Sequence, residues 1–190
     1  MSKEYIENQT FKRGDFTEKP LKKGQYENCT FSNCTFYNAQ LSDIHFTDCQ
    51  FDNCDLSMAK LSQTAFKDVS FKNCKMLGLR FDECNAFLLS FKFDTCTLNF
   101  SSFYKLKLKN THFKDCKLEE VEFTEADLTG AVFRNCDLVR AVFDRTKLEG
   151  ADFRASYNFS IDPELNSIFK AKFSAQTLGG LLHKYKIVIE

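Results

Sequence analysis

Large apolar residues recur every five positions along most of this chain, and that spacing excludes most ordinary folds. From Phe11 the series runs Phe11, Phe16, Leu21, Tyr26, Phe31, Phe36, Leu41, Phe46 and on through Met76 to Phe81 with no polar interruption. After a slip it resumes at Phe93 and alternates Phe with Leu as far as Phe153. Two residues before most centres stands a small side chain: Cys29, Cys34, Ala39, Cys49 and Cys54 among the first. The other three of each five are mostly polar. An α-helix turns about 100° per residue, so a five-residue step would smear the centres around its circumference. A flat strand would put alternate centres on opposite faces. A chain that turns a corner every five residues keeps all of them inside.

A longer period says how many corners make a circuit. Phe-x-Asn-Cys begins at residues 31, 51 and 71, and related words begin at 93, 113 and 133. Four sides of five therefore close one coil of twenty. Coils stacked at ~4.8 Å, the spacing of hydrogen-bonded backbones, set like over like. One phenylalanine column then passes through 11, 31, 51 and 71, and one cysteine column through 34, 54 and 74. The second inward position is small because a square interior has no room for two large side chains. Asn, Asp, Gly and Ser between the centres suit corners. The predicted fold is an all-β solenoid, a four-sided β-helix of about seven coils over residues 11–157, preceded by a short polar cap or arm at 1–10 and followed by a capping segment at 158–190. Between Phe71 and Phe93 the circuit takes two extra residues, which fall within 82–92 and read as a local bulge or a small contact loop.

The repeat reads as ending after Phe153. Asp162-Pro163-Glu164 resembles a helix opening, with a capping carboxylate and proline in the first turn. Ser174 offers a second cap, after which Leu178, Leu181, Leu182 and Tyr185 follow the spacing of one helix face. Ile187-Val188-Ile189 reads as a short strand. An open solenoid end invites pairing with another chain, so this segment is expected to cap the rod and to pack on its twin in a homodimer.

Little in the chain suggests chemistry. Nine cysteines obey the repeat rather than any zinc spacing, and read as reduced, buried thiols of a cytoplasmic protein. Neither a metal, a cofactor nor an enzymatic activity is expected. No run approaches the ~18 apolar residues of a membrane span. The 26 basic and 26 acidic residues balance, which argues against direct binding of nucleic acid. The charges are unevenly placed, however. Between Lys23 and Lys60 there is no Lys or Arg, but Glu27, Asp43, Asp48, Asp52 and Asp55 occur. Further on, Asp115, Glu119, Glu120, Glu122, Glu125 and Asp127 stand against Lys117 alone.

The run AVFRNCDLVRAVFDRTKLEGADF at 131–153 resembles the A(D/N)LxX signature of pentapeptide-repeat proteins, and the resemblance covers 11–153. It implies a right-handed quadrilateral β-helix. The endings SIDPELNSI and LGGLLHKYKIVIE are similar to those of quinolone-resistance (Qnr) proteins and of the immunity protein against a gyrase-targeting microcin. That likeness implies a non-enzymatic DNA mimic that binds a type II topoisomerase, DNA gyrase or topoisomerase IV, and protects it from quinolones or toxins. It implies a head-to-head dimer with Leu178, Leu181, Leu182, Tyr185, Ile187, Val188 and Ile189 at the seam. Asp43, Asp48, Asp52, Asp55, Glu119, Glu120, Glu122 and Glu125 would stand in for phosphates. The zero net charge departs from an acidic mimic, and the lack of long inter-coil loops is closer to the microcin-immunity type. The alternative is a protein-binding scaffold with no topoisomerase role.

Overall fold

The computed structural model describes residues 4–87 and 89–188. The chain winds as a parallel β-solenoid of about 8 turns. Side one of each coil belongs to an eight-stranded sheet of Thr10–Lys12, Thr30–Ser32, Gln50–Asp52, Val69–Lys72, Phe91–Asp94, His112–Lys114, Val132–Asp137 and Asp152–Tyr157. Side two is held by single bridges such as Thr35 to Asp55 and Asp55 to Lys75, and side three by others such as Gln40 to Lys60 and Ser102 to Glu122. Side four starts as a four-stranded sheet of Glu4–Glu7, Gly24–Glu27, His45–Thr47 and Ala65–Lys67, and continues through bridges such as Lys107 to Asp127. The twenty-residue spacing is the ladder register, since Phe11 pairs with Phe31, Phe31 with Phe51 and Phe51 with Phe71.

Corners are made by one backbone conformation. The second residue after most centres is left-handed, including Asn28, Asn33, Asn38, Asp43, Asp48 and Asn53, and the non-glycine residues of this kind have φ of 50–64°. Few side chains tolerate that region, and Asn and Asp do so best. Their abundance at these positions therefore has a local cause.

The interior is built from columns. Phe11, Phe31, Phe51, Phe71, Phe93, Phe113, Phe133, Phe153 and Phe173 stack in order, with centroids 4.7–5.5 Å apart and planes within 20° of parallel. Rings on adjoining sides meet these edge-on, as Phe103 meets Phe113 at 6.1 Å and 84°. Each buried ring is worth roughly 1.5–3 kcal/mol. The small inward position has a polar task as well as a volume limit. Cys54, Cys74 and Cys96 each donate from Sγ to the carbonyl of a phenylalanine one coil back, all at 3.4 Å. Where the cysteine is replaced, a hydroxyl makes the same bond: Thr64 to Leu41 O at 2.8 Å and Ser156 to Phe133 O at 2.7 Å.

Both ends differ from the sequence expectation. Glu4–Glu7, expected in a short polar cap or arm, is a strand paired with Gly24–Glu27. At the other end the solenoid continues past Phe153 for another circuit. Phe173 stacks on Phe153 at 5.4 Å and 4°, and Lys172 bridges Asp152. Asn166 fills the small inward position, donating to Phe143 O at 3.1 Å and accepting from Thr146 N at 2.9 Å. Asp162-Pro163-Glu164 is thus a turn, not a helix opening; the Asp162 carboxylate accepts from Glu164 N at 2.8 Å. The helical segment that follows is short and mixed, with a 3-10 turn at Ala175–Thr177, an α turn at Gly179–Leu182 and a second 3-10 turn at His183–Tyr185. No strand forms at Ile187 and Val188, because a strand needs a neighbour to pair with; Ile189 lies outside the described residues. The longer circuit is seen in the pairing of Val69 with Phe91, and its extra chain leaves Phe87 77% exposed. Among the described residues no helix is long and apolar enough to cross a membrane.

Candidate partner-binding surfaces

The first acidic cluster does not form a patch. One circuit carries its members past every side. Asp43 sits at the corner ending side three, Asp48 at the corner ending side four, Asp52 on side one and Asp55 on side two. The second cluster divides likewise, Glu119 and Glu120 on side two and Glu122 and Glu125 on side three. Asp43, Asp48, Glu120 and Glu125 are all left-handed corner residues.

Most of these carboxylates also have partners one coil away. Asp43 pairs with Lys23 at 2.8 Å and Asp55 with Lys75 at 3.5 Å. Arg140 reaches Glu120 at 2.7 Å and Glu119 as well. Glu125 lies between Lys105 and Arg145, at 3.5 Å from each. Glu122 accepts from the Ser102 hydroxyl at 2.9 Å and Asp52 from Asn73 Nδ2 at 3.2 Å. The solenoid sets opposite charges in ladders rather than gathering like charges in a stripe. A reading of local charge runs missed this; the signal was the residue twenty positions away, which is Lys75 for Asp55 and Arg145 for Glu125. Exposed pairs of this kind contribute little stability each, but they neutralise the local field.

The C-terminal segment is a more coherent surface. Gly180 comes so close to the last coil that a Cβ there would lie 2.5 Å from Phe159 O. The Gly180 carbonyl accepts from Ile161 N at 2.9 Å, so the helical turns are tied to the rod. Lys184 pairs with Asp162 at 2.8 Å and Glu164 at 2.6 Å, and the Tyr185 hydroxyl donates to Glu164 at 3.0 Å. Leu181 packs against the chain's own core. Leu178, Tyr185, Ile187 and Val188 are exposed and Leu182 half-buried, leaving apolar surface at this end of the rod. Among the described residues no group of three or more His, Cys, Asp or Glu is placed to hold a metal ion.

A family model for the pentapeptide repeat region matches residues 44–113 and 85–153, more than half of the chain. The chain belongs to the pentapeptide-repeat family. Among solved structures, this pentapeptide-repeat protein is similar to a trypsin-treated form of QnrB1, a plasmid-mediated fluoroquinolone resistance protein. The identity is 18%, all of both chains is covered and the TM-score is 0.64. Full-length QnrB1 matches at 17% identity over 97% of this chain and 100% of that one, with a TM-score of 0.54. HetL, a pentapeptide-repeat protein involved in heterocyst differentiation regulation in a Nostoc cyanobacterium, matches at 15% identity over 90% of this chain and 83% of its own, with a TM-score of 0.39. A comparison with curated protein sequences finds no significant match.

Proposed function

We propose that this pentapeptide-repeat protein is a non-enzymatic, cytoplasmic binding rod that engages DNA gyrase in place of duplex DNA and protects it from a quinolone or a gyrase-poisoning toxin. The observation that carries the reading is an unbroken rod with an exposed apolar surface at one end. Eight coils at ~4.8 Å span ~40 Å. Two rods joined through Leu178, Leu182, Tyr185, Ile187 and Val188 would match roughly 20 base pairs or more at 3.4 Å each. Leu181 faces inward and would support this seam rather than line it. QnrB1 supplies the role by likeness of fold.

Purified gyrase tests this directly. Micromolar protein is expected to inhibit supercoiling, and to reduce the cleaved DNA that a quinolone or toxin traps. Absence of both effects would remove the topoisomerase reading. Light scattering separately tests the dimer, which should run at twice the 22.0 kDa chain mass.

The charge ladders favour a second reading, a scaffold for another protein. Five of the eight acids assigned to phosphate mimicry are neutralised by ion pairs within the rod. If the rod is a DNA mimic, breaking two of these pairs with Arg140→Gln should strengthen gyrase binding by exposing Glu119 and Glu120. For a scaffold with another target it should leave gyrase indifferent.

A further inference from the structure

Side one is the longest continuous sheet of the rod. Its central phenylalanines point inward, so the line along their backbone is a floor between two outward columns of side chains. The result is a trough of ≈ 750 Å³ running across the strands from Gln50–Asp52 to Val132–Asp137. A smaller hollow at Val132, Arg134, Asp152 and Arg154 extends it by one coil.

The walls of this trough carry an excess of cations. Lys72, Lys92, Lys114, Arg134 and Arg154 stand on five successive coils. Three carboxylates oppose them, and two of those are taken: Asp94 by Lys114 at 2.9 Å and Asp152 by Arg154 at 2.7 Å. The third, Asp52, accepts from Asn73. Among the described residues Lys72, Lys92 and Arg134 make no ion pair, although Lys72 stands in register between Asp52 and Asp94. Arg134 stands one coil beyond Lys114, in register with it. The two are like charges on adjacent strands, a stacking that gains nothing for folding.

We infer that the trough on side one receives an extended acidic segment of a partner protein. The inference does not depend on the topoisomerase reading, which uses the acids and the C-terminal surface instead. Five strands at ~4.8 Å make the floor ~19 Å long, enough for about six residues of extended peptide at ~3.3 Å each. Peptide carboxylates can alternate with other side chains, so they can meet Lys72, Lys92 and Arg134 while passing Asp52 and Asp94. Val132, on the strand of Arg134, offers an apolar contact at one end. A phosphate backbone has no such freedom. It needs a continuous basic excess, which the wall carboxylates interrupt.

The test uses the full chain and a fluorescent eight-residue peptide alternating Asp and Val. Binding should appear below about 1 mM and weaken with salt. The variant Lys72→Gln/Lys92→Gln/Arg134→Gln should lose about tenfold in affinity or more. The control Lys60→Gln/Lys107→Gln/Lys117→Gln changes net charge equally on the other sides and should lose less than about twofold. Zero-length carboxyl-to-amine cross-linking of the peptide to the unaltered chain gives a readout independent of any variant's folding; its adducts should fall on Lys72 and Lys92. Equal losses in both triple variants, adducts spread over Lys60, Lys107 and Lys117, or no binding would each overturn the inference. Tighter binding of an eight-nucleotide thymidine oligonucleotide would overturn it in favour of nucleic acid.

Discussion

Phe113 and Phe133 lie face to face in successive coils, their ring centroids 4.9 Å apart and their planes 2° from parallel. On its other face Phe113 stacks on Phe93 at 5.2 Å, and Phe123 meets its edge at 6.0 Å and 82°. One ring therefore supports three coils, and each coil contacts only its neighbours.

Deleting that ring should be severe. Phe113→Ala is expected to destabilise the rod by about 3–5 kcal/mol, through lost burial and a cavity between two unsupported rings. Phe113→Leu should cost about 1.5 kcal/mol or less, since leucine already fills centres on other sides. Urea unfolding of both variants measures this. An alanine loss below about 1 kcal/mol would show that the column is not what holds the coils together.

The thiols should be silent until the rod unfolds. All nine cysteines are free and buried. Burial pushes the Cys49 thiol up to about 12 and raises that of Cys84 as well. A disulfide-exchange reagent at pH 8 should label none in minutes when the protein is native and all nine in denaturant. Rapid labelling of the native protein would contradict the buried columns.

The same burial sets a pH dependence. Burial, with help from the Glu4 carboxylate, pushes Tyr26 up to about 12. In the unfolded chain a cysteine ionises near ~8.5 and a tyrosine near ~10. A raised folded value means that stability is intact below the unfolded value and is lost as pH rises towards the folded one. The urea midpoint should therefore fall steadily above pH ~9. Cys49→Ala should flatten part of that slope, and an unchanged slope would show that the thiol does not contribute.

Corner residues should tolerate loss of charge but not loss of shape. Asp48 has φ 51°. Asp48→Asn keeps a side chain suited to that region and should leave thermal stability unchanged or slightly higher. Asp48→Val places a branched side chain there and should cost about 1–3 kcal/mol. Comparable losses for both would mean that the carboxylate, not the corner, is what this position requires.

Gly180→Ala tests how the end segment is held. An added Cβ would meet the Phe159 carbonyl and ring, both closer than 3.0 Å, so the helical turns must move. Hydrogen exchange of the Ile161 amide, which donates to Gly180 O, should rise while amides in the middle coils stay protected. Unchanged exchange at Ile161 would show that the segment docks without this close approach.

The five-residue and twenty-residue periods by themselves determined the four-sided coil, the phenylalanine column and the burial of the cysteines. They could do so because a solenoid's core is made by residues at fixed separations, so inward and outward positions are written locally. The last coil was legible in principle, since Phe173 stands twenty after Phe153, but Asn166 and Pro163 broke the apolar pattern and hid it. What Asp43, Asp48, Asp52 and Asp55 would face was decided only by the tertiary structure. Winding sends neighbours in sequence to different sides and brings Asp55 to Lys75 and Glu125 to Arg145. Surface charge depends on distances across coils, and those distances exist only once the chain has closed its circuits.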